Sequence, residues 1–255
     1  MPLLAVKKVV KDYEGVRALN GVSLQVEKGV IKGLIGPNGA GKSTMFHLIS
    51  GMEKPTSGNI AFRGVDIAGK EPHEISGLGM GRTFQTVQTW GNMTAVENVM
   101  VGMHRKLIGG ILSCGLWLPW IKREEKEVLR EAFGMLEFLG LSAKWKWPAF
   151  QLSYGEQKIL EIGRALATGP ELILLDEPAA GLTPQEVQAL AEKIQQIRER
   201  GTTIFVVEHH MGMVMEIADE IAVLNHGELI AEGRPEAIRD DPRVIRAYLK
   251  GTVYA

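Results

Sequence analysis

The chain contains very little cysteine and no clear excess of either charge. Its single cysteine, Cys114, cannot form an intrachain disulfide, which is typical of a reducing compartment such as the cytoplasm. The formal net charge of −1 at pH 7 gives no electrostatic reason to expect nucleic acid as a partner. Because hydrophobic residues still make up 45% of the 255 residues, the composition predicts a globular protein and argues against disorder.

Long hydrophobic runs are also missing. The longest, residues 107–121, contains three glycines and a proline, and it is too short for a comfortable membrane-spanning helix. A buried loop and helix is the favoured interpretation of this run, and a surface that meets an apolar partner protein is the alternative. Lysines interrupt the N-terminal apolar residues early, so no cleavable signal peptide is predicted. We therefore expect a soluble chain whose membrane role, if any, comes through a partner.

What the chain does have is a regular alternation of apolar runs and helical patterns. Predicted strands with largely apolar centres lie at residues 30–36, 171–177 and 202–208, and helical segments occur between them. Strands that are apolar throughout and alternate with helices predict a parallel sheet covered on both faces. A helical block in the middle of the chain, at about residues 86–150, is interpreted as an insertion into this core.

The clearest motif is GPNGAGKST, which matches the phosphate-loop pattern G-x-x-x-x-G-K-[ST] in full. It follows a predicted strand and opens a predicted helix, whose positive end favours an anion. Glycines let backbone N–H groups curl around phosphate oxygens, Lys42 adds a charge, and Ser43 offers a hydroxyl to Mg²⁺. The predicted phosphate-binding residues are Gly36, Pro37, Asn38, Gly39, Ala40, Gly41, Lys42, Ser43 and Thr44.

Two later strand ends carry polar side chains that suit nucleotide hydrolysis. In LILLDE, Asp176 can hold Mg²⁺ through a water, and Glu177 can polarise the attacking water as a general base. In VVEHH, His209 can donate a hydrogen bond to the γ-phosphate and so distinguish ATP from ADP, although His210 follows it directly. Each feature is commonly structural when it stands alone. Together with the phosphate loop, they predict an ATPase.

The joint set of motifs resembles the ATP-binding subunit of ABC transporters over nearly the whole chain. Besides the phosphate loop (Walker A) and LILLDE (Walker B), the matches are Gln85 in GRTFQ, LSYGEQ at residues 152–157, AAGLTP and His209. In that family these are the Q-loop, the signature, the D-loop and the switch histidine.

The resemblance implies an α/β fold. Its core is a P-loop NTPase (RecA-like) domain with a mainly parallel sheet, to which an N-terminal antiparallel β subdomain and an inserted α-helical subdomain are added. The core with its β subdomain is expected at about residues 1–85 and 151–255, the helical subdomain at about 86–150, and a C-terminal helical tail at about 235–255.

The resemblance also implies roles for individual side chains. Tyr13 would stack on adenine, the alternative being a strand tyrosine in a hydrophobic cluster. Gln85 would contact Mg²⁺ and link the γ-phosphate site to the helical block. Two chains would face each other head to tail, so that Ser153, Gly155 and Glu156 of one chain bind the ATP of the other.

Finer details are similar to the branched-chain amino-acid importers, notably LSYGEQKILEIGRAL, DEPAAGLTP, VVEHHM and the tail EAIRDDPRVIRAYLKG. This similarity implies ATP and Mg²⁺ as cofactors and a second ATP-binding subunit, identical or related. It also implies transmembrane permease subunits, an extracytoplasmic solute-binding protein reached indirectly, and a peripheral location at the cytoplasmic face of the membrane. An exporter and urea, amide or lipopolysaccharide systems are alternatives within the family. A soluble ABC protein acting on nucleic acid or ribosomes and a small-molecule P-loop kinase are the alternatives of other classes.

Four positions depart from the family's usual pattern. Tyr154 and Glu156 replace a glycine and the glutamine of the signature, and Glu156 would repel phosphate unless it points away or pairs with a base. Thr183 stands at the acidic position of the D-loop. His210 follows the switch histidine where an aspartate is common. The resemblance therefore leaves Glu156, Thr183 and His210 without an assigned role.

Overall fold

The computed structural model describes residues 1–104 and 119–251. They divide into two compact units, the first made of Met1–Gln85 and Glu171–Ala255 and the second of Thr86–Pro170. The side chains of the apolar run at residues 107–121 lie outside the described residues, and so do both interpretations of it. Within the described ranges, no helix is both long enough and apolar enough to cross a membrane.

All of the described strands belong to the first unit, where they form two sheets. They are β1 (Leu4–Tyr13), β2 (Val16–Val26), β3 (Ile31–Ile35), β4 (Ser57–Phe62), β5 (Val65–Asp66), β6 (Met80–Arg82), β7 (Leu172–Asp176), β8 (Thr203–Val207), β9 (Glu220–Asn225) and β10 (Glu228–Gly233). The larger sheet has the order β10-β9-β3-β8-β7-β6, and the smaller has the order β2-β1-β4-β5.

The larger sheet is the predicted core. Strands β3, β7 and β8 are buried at every position, since their apolar side chains point alternately to two covered faces. Neighbouring strands from β9 to β6 pair in parallel, and β10 is an antiparallel edge strand. The prediction of a mainly parallel sheet is therefore confirmed. The smaller sheet is antiparallel throughout, which confirms the N-terminal β subdomain.

The described helices are shared between the two units. They are α1 (Lys42–Ile49), α2 (Pro72–Gly77), α3 (Ala95–Gly102), α4 (Pro119–Leu139), α5 (Tyr154–Ala167), α6 (Pro184–Glu199), α7 (Met211–Ile217), α8 (Pro235–Arg239) and α9 (Pro242–Gly251). In the first unit, α1 packs against the larger sheet, and the rings of Phe46 and Phe205 lie 5.2 Å apart between centroids. This packing fixes the start of α1 beside the carboxyl ends of the parallel strands.

The second unit consists of α3, α4 and α5 around their own apolar core, which includes Val99, Leu136 and Leu160. Close approach of these helices depends on glycine, because a Cβ on Gly102 would lie 2.2 Å from the carbonyl oxygen of Arg164. The helical block was expected to end at about residue 150, but the compact unit continues to Pro170. The reason is that α5, which begins in the signature, packs on α3 and α4.

Candidate nucleotide site

Three loops meet at one edge of the larger sheet. Strands β3, β8 and β7 are consecutive neighbours and run in parallel, so the loops that follow them leave the sheet side by side. These loops carry the phosphate-loop sequence after β3, Glu177 after β7 and His209 after β8. In open α/β sheets, ligands bind at this carboxyl edge. The topology thus brings together motifs that are more than a hundred residues apart in sequence.

The phosphate loop has a backbone that glycine alone can adopt without strain. Gly36 has φ +155° and Gly41 has φ +100°. A Cβ on Gly36 would lie 2.2 Å from the carbonyl oxygen of Leu224, and a Cβ on Gly41 would lie 2.7 Å from that of Ala18. The loop is therefore packed tightly on its outer side, which leaves its inner side to hold phosphate oxygens.

Helix α1 begins directly after this loop with Gly41 at its N-cap. Glycine has no side chain with which to cap a helix, and the first turn of α1 contains no acidic residue. The first N–H groups of α1 therefore remain available for an anion at the positive end of the helix. Ser43 lies in this first turn, and its side chain is exposed.

Lys42 is held over the loop rather than extended into solvent. Its ammonium donates hydrogen bonds to the carbonyl oxygens of Gly36, at 2.8 Å, and Pro37, at 3.1 Å. Burial lowers the pKa of Lys42 from its usual value, and the charge of Glu177 opposes part of this shift. The lysine thus places a positive charge at the phosphate loop, where it can form charge-assisted hydrogen bonds with the outer phosphates of a nucleotide.

The three predicted catalytic side chains meet at the carboxylate of Glu177. Gln85 donates a hydrogen bond from Nε2 to Glu177 Oε2 at 2.9 Å, and His209 Nδ1 lies 3.7 Å from the same oxygen. Glu177 has φ +45°, which is uncommon for a residue with a side chain, and its N–H donates to the carbonyl of Val207 at 2.9 Å. This backbone geometry aims the carboxylate at Gln85 and His209 rather than along the strand.

Asp176, the predicted Mg²⁺ residue, is buried at the end of β7 and pairs with Arg82. The distance from Arg82 Nη2 to Asp176 Oδ2 is 3.2 Å. Burial raises the pKa of Asp176 above its usual value, and the charge and hydrogen bond of Arg82 oppose that shift. Arg82 is a site residue that the sequence analysis missed. Its position three residues before Gln85 was the available signal, but nothing in the sequence pairs it with Asp176.

The residues present fit ATP and Mg²⁺ by their chemistry. The loop supplies backbone N–H groups, a helix start and a buried lysine, which together suit a chain of phosphates. Ser43, Gln85 and Asp176 supply hydroxyl, amide and carboxylate oxygens, the donor type that Mg²⁺ prefers. The predicted metal residues thus remain a chemically consistent set.

Tyr13 lies on the surface of the first unit with polar neighbours. Its side chain is 38% exposed, and its hydroxyl donates a hydrogen bond to the carboxylate of Glu53. The ammonium of Lys11 lies 4.7 Å from the ring centroid. Burial and the bond to Glu53 raise the pKa of Tyr13 to about 12. These polar contacts disagree with a tyrosine in a hydrophobic cluster. Part of the ring is exposed, as stacking on the adenine ring of a nucleotide would require.

The signature residues lie in the second unit, where Ser153 caps α5 through a capping box. Ser153 Oγ accepts from the N–H of Glu156 at 3.3 Å, and Glu156 Oε2 accepts from the N–H of Ser153 at 3.0 Å. Lys144 donates a 2.6 Å hydrogen bond to Oε1 of Glu156. Gly155 is buried beside this cap, whereas Ser153 is exposed. The carboxylate of Glu156 is thus paired with a basic side chain, Lys144, which is one of the two conditions under which it would not repel a phosphate.

The charge of Glu156 is stabilised locally. Burial alone would raise the pKa of its carboxyl. The hydrogen bonds from Lys144 and Ser153 lower the pKa by more than burial raises it, so the pKa lies below its usual value. Nothing in the run SAKWKWP marked Lys144 as the partner of a residue in the signature. The pair forms because a short 3₁₀ turn, Ser142–Lys144, places the lysine next to the start of α5.

The two other departures are also helix caps. Thr183 caps α6, and Glu186 completes its capping box by accepting from the N–H of Thr183 at 2.9 Å. His210 caps α7, where its Nδ1 accepts from the N–H of Met213 at 3.3 Å. The His210 ring is thus hydrogen-bonded to the first turn of α7, whereas the ring of the adjacent His209 faces Glu177.

Sequence comparisons agree with this geometry. A profile of the ABC transporter family matches residues 19–180, and a profile described as branched-chain amino acid ATP-binding cassette transporter matches residues 228–249. The high-affinity branched-chain amino acid transport ATP-binding protein LivG of Salmonella typhimurium is 44% identical over 97% of this chain and 98% of its own length. A probable LivG of Methanocaldococcus jannaschii is 38% identical over 98% of both chains.

Solved structures give the same result for the fold. The ADP conformation of an ATP-binding cassette of an ABC transporter superposes with a TM-score of 0.85, at 38% identity, over 98% of this chain and 99% of that one. A dimeric cassette in a post-hydrolysis state, bound to ADP and Pi, superposes with a TM-score of 0.77 at 26% identity over 91% of this chain and 98% of that one.

Proposed function

Because the chain belongs to the ABC transporter family, in which it is an ATP-hydrolysing subunit, we propose that it drives an importer of branched-chain amino acids. The observation that carries the catalytic part is the meeting of Gln85 and His209 at the carboxylate of Glu177, beside the phosphate loop. The 44% identity to LivG over nearly the whole chain supports the substrate class.

In the proposed reaction, the phosphate loop and Lys42 hold the nucleotide, and Glu177 accepts a proton from the attacking water. Gln85 and His209 orient the Glu177 carboxylate, and His209 also donates to the γ-phosphate. Ser43, Gln85 and Asp176 are the residues that would hold Mg²⁺, which would supply positive charge to the phosphates. Arg82 holds the Asp176 carboxylate at the end of β7. Tyr13 is proposed to stack on adenine.

We further infer that two ATP-binding subunits act together, the second being a copy of this chain or a related one. Solved relatives include dimeric cassettes, which supports this inference. Ser153 and the N–H of Gly155 then bind the γ-phosphate of the partner's ATP. Glu156 takes part through its cap rather than by direct contact, since Lys144 and Ser153 already hold its carboxylate.

The second unit also carries an apolar surface that suits a permease. Trp90, Met93 and Phe150 are 46%, 40% and 61% exposed. Backbone hydrogen bonds hold them together, because Met93 bonds to Trp90 at 3.0 Å and Phe150 bonds to Gly91 at 3.2 Å. Clustered exposed apolar side chains are typical of interaction sites. We propose that this surface contacts transmembrane subunits and keeps the chain at the cytoplasmic face of the membrane.

The catalytic assignment is tested with Glu177→Gln. Loss of the base is expected to lower kcat by about 10²- to 10⁴-fold while ATP still binds, because the phosphate loop is intact. Steady-state ATP hydrolysis and ATP titration measure the two effects. Glu192→Gln, at an exposed position of α6, is the matched control and should behave as wild type. Undiminished turnover of Glu177→Gln would remove Glu177 from this role.

A further inference from the structure

Glu208 is a buried carboxylate that the catalytic assignment does not use. It follows β8 directly, and its exposed fraction is 0%. Its N–H donates to the carbonyl of Leu34 at 3.3 Å, so its backbone is fixed against the strand that precedes the phosphate loop. Burial of a charge costs free energy unless hydrogen bonds replace water, so the side-chain partners of Glu208 decide what it does.

Those partners are backbone N–H groups of two different loops. Oε1 accepts from the N–H of Ala179 at 2.6 Å. Oε2 accepts from the N–H of His209 at 3.1 Å and from the N–H of His210 at 3.2 Å. One oxygen therefore serves the loop after β7, and the other serves the loop after β8. Charge-assisted bonds of this kind are stronger than neutral ones.

Each of these loops carries one of the proposed catalytic groups. Ala179 lies two residues after Glu177, and the second loop contains His209 itself. The carboxylate of Glu177 and Nδ1 of His209 are 3.7 Å apart, a distance that depends on where the two loops are held. An error of about 1 Å in such a distance can cost about 10²-fold in rate.

We propose that Glu208 is a positioning residue that sets the distance between Glu177 and His209 by holding both loops with one carboxylate. The effect on turnover rests on the proposed function, whereas the hydrogen bonds themselves do not. Glutamine at this position keeps the size of the side chain but has only one acceptor oxygen. Its NH₂ group faces an N–H donor, so Glu208→Gln releases at least one of the two loops.

The hydrogen bonds are tested by amide hydrogen exchange, measured by NMR on the full chain. In Glu208→Gln, we expect exchange of Ala179, or of His209 and His210, to accelerate by about tenfold or more, while the amides of β8 keep their protection. Glu74→Gln is the matched control, because Glu74 also accepts a backbone N–H, at 2.9 Å from Glu71, but lies in α2. Unchanged exchange at all three amides would overturn the proposal.

If Glu208→Gln does not fold, Glu208→Asp gives the same test. Aspartate keeps both oxygens but is one methylene shorter, so it cannot reach both loops, and the same amides should again exchange faster. Unchanged exchange in Glu208→Asp would equally overturn the proposal.

The effect on catalysis is tested by a double-mutant cycle with His209→Ala. We expect Glu208→Gln to lower kcat by about 10²-fold and to leave ATP affinity unchanged. In the His209→Ala background its further loss should be smaller, because the histidine that it positions is already gone. Full additivity would overturn the positioning role. If the amides respond but Glu177→Gln keeps full turnover, the proposed catalytic assignment fails and the hydrogen-bonding role of Glu208 stands.

Discussion

Helices α1 and α5 both begin at a glycine-containing turn, but their first N–H groups have different partners. Helix α1 has Gly41 at its N-cap and no acidic residue in its first turn. Helix α5 has Ser153 at its N-cap and Glu156 in its first turn, and the two form a capping box. Among the residues that the structure describes, no side chain therefore caps the first N–H groups of α1, whereas at the start of α5 two N–H groups, those of Ser153 and Glu156, are already hydrogen-bonded to side chains.

The charges at the two helix starts differ in the same way. At α1, Lys42 is buried and, within the described part of the chain, donates hydrogen bonds only to neutral carbonyl oxygens of the loop, those of Gly36 and Pro37. At α5, Lys144 is already paired with Glu156. This difference is consistent with the proposal that α1 binds the phosphates of the chain's own ATP, whereas α5, whose cap is complete within the chain, adds contacts to a phosphate that another chain holds.

Among substitutions at the two helix starts, the largest effect is expected from Ser153→Arg, which alters the start of α5 alone. Arginine blocks the approach of a partner's phosphate, so ATP hydrolysis should fall by about 10²-fold or more. ATP affinity of the isolated chain should stay unchanged, because the phosphate loop is untouched. ATPase assays and isothermal titration measure the two quantities, and thermal unfolding checks the fold. Weaker ATP binding in the isolated chain would mean that the two helix starts are not divided as described.

A smaller effect is expected from Lys42→Ala, which alters the first helix start alone. Loss of a charge-assisted hydrogen bond worth about 1.5–3 kcal/mol should weaken ATP binding by about 10- to 100-fold. Isothermal titration of ATP measures the change. Lys126→Ala, at an exposed position of α4, is the matched control. ATP affinity equal to that of wild type would show that the phosphate loop is wrongly assigned.

The smallest effect is expected from Glu156→Gln. Glutamine retains the capping box and loses only the pair with the partly exposed Lys144, so turnover should change by less than about fivefold. Glu97→Gln is the matched control, because Glu97 closes the same kind of box on α3 without a lysine. A large rise in turnover in Glu156→Gln alone would place its carboxylate against the phosphate after all.

The ion pair between Glu156 and Lys144 should also make the stability of the protein depend on pH. Because the folded pKa of Glu156 lies below its usual value of 4.5, its ion pair stabilises the protein above that pH, and the stabilisation is lost as pH falls through the lower folded pKa. The melting temperatures of wild type and Glu156→Gln should thus differ most near neutral pH and converge in acid. A difference that grows in acid would contradict the pairing.

Features encoded by local pattern could be predicted from the sequence. The runs that became β3, β7 and β8 are apolar at nearly every position, and the phosphate loop has its glycines at a fixed spacing. Such patterns depend on near neighbours in the chain. The same holds for α5, although its packing, which extends the second unit to Pro170, could not be predicted.

Contacts between distant residues could not be predicted in the same way. Arg82 and Asp176 are 94 residues apart, and Glu208 and Ala179 are 29 apart. These pairs form only because β6, β7 and β8 are neighbours in the sheet.

The cap of Thr183 could have been predicted, because Thr183 to Glu186 match the capping-box pattern and Pro184 suits the first helical position. No such pattern marks His210, whose cap is identified only by the position of the start of α7.

We propose that α1 binds the chain's own ATP and that α5 completes the site of a second chain. The decisive measurement is ATP hydrolysis by a mixture of Lys42→Ala and Ser153→Arg, under conditions in which the wild-type chain alone hydrolyses ATP. At an ATP concentration well below the weakened Kd of Lys42→Ala, each variant should be nearly inactive by itself. A mixed pair contains one intact site, formed by Lys42 of one chain and Ser153 of the other, so mixing should restore a substantial part of the activity. A mixture as inactive as its components would contradict the claim.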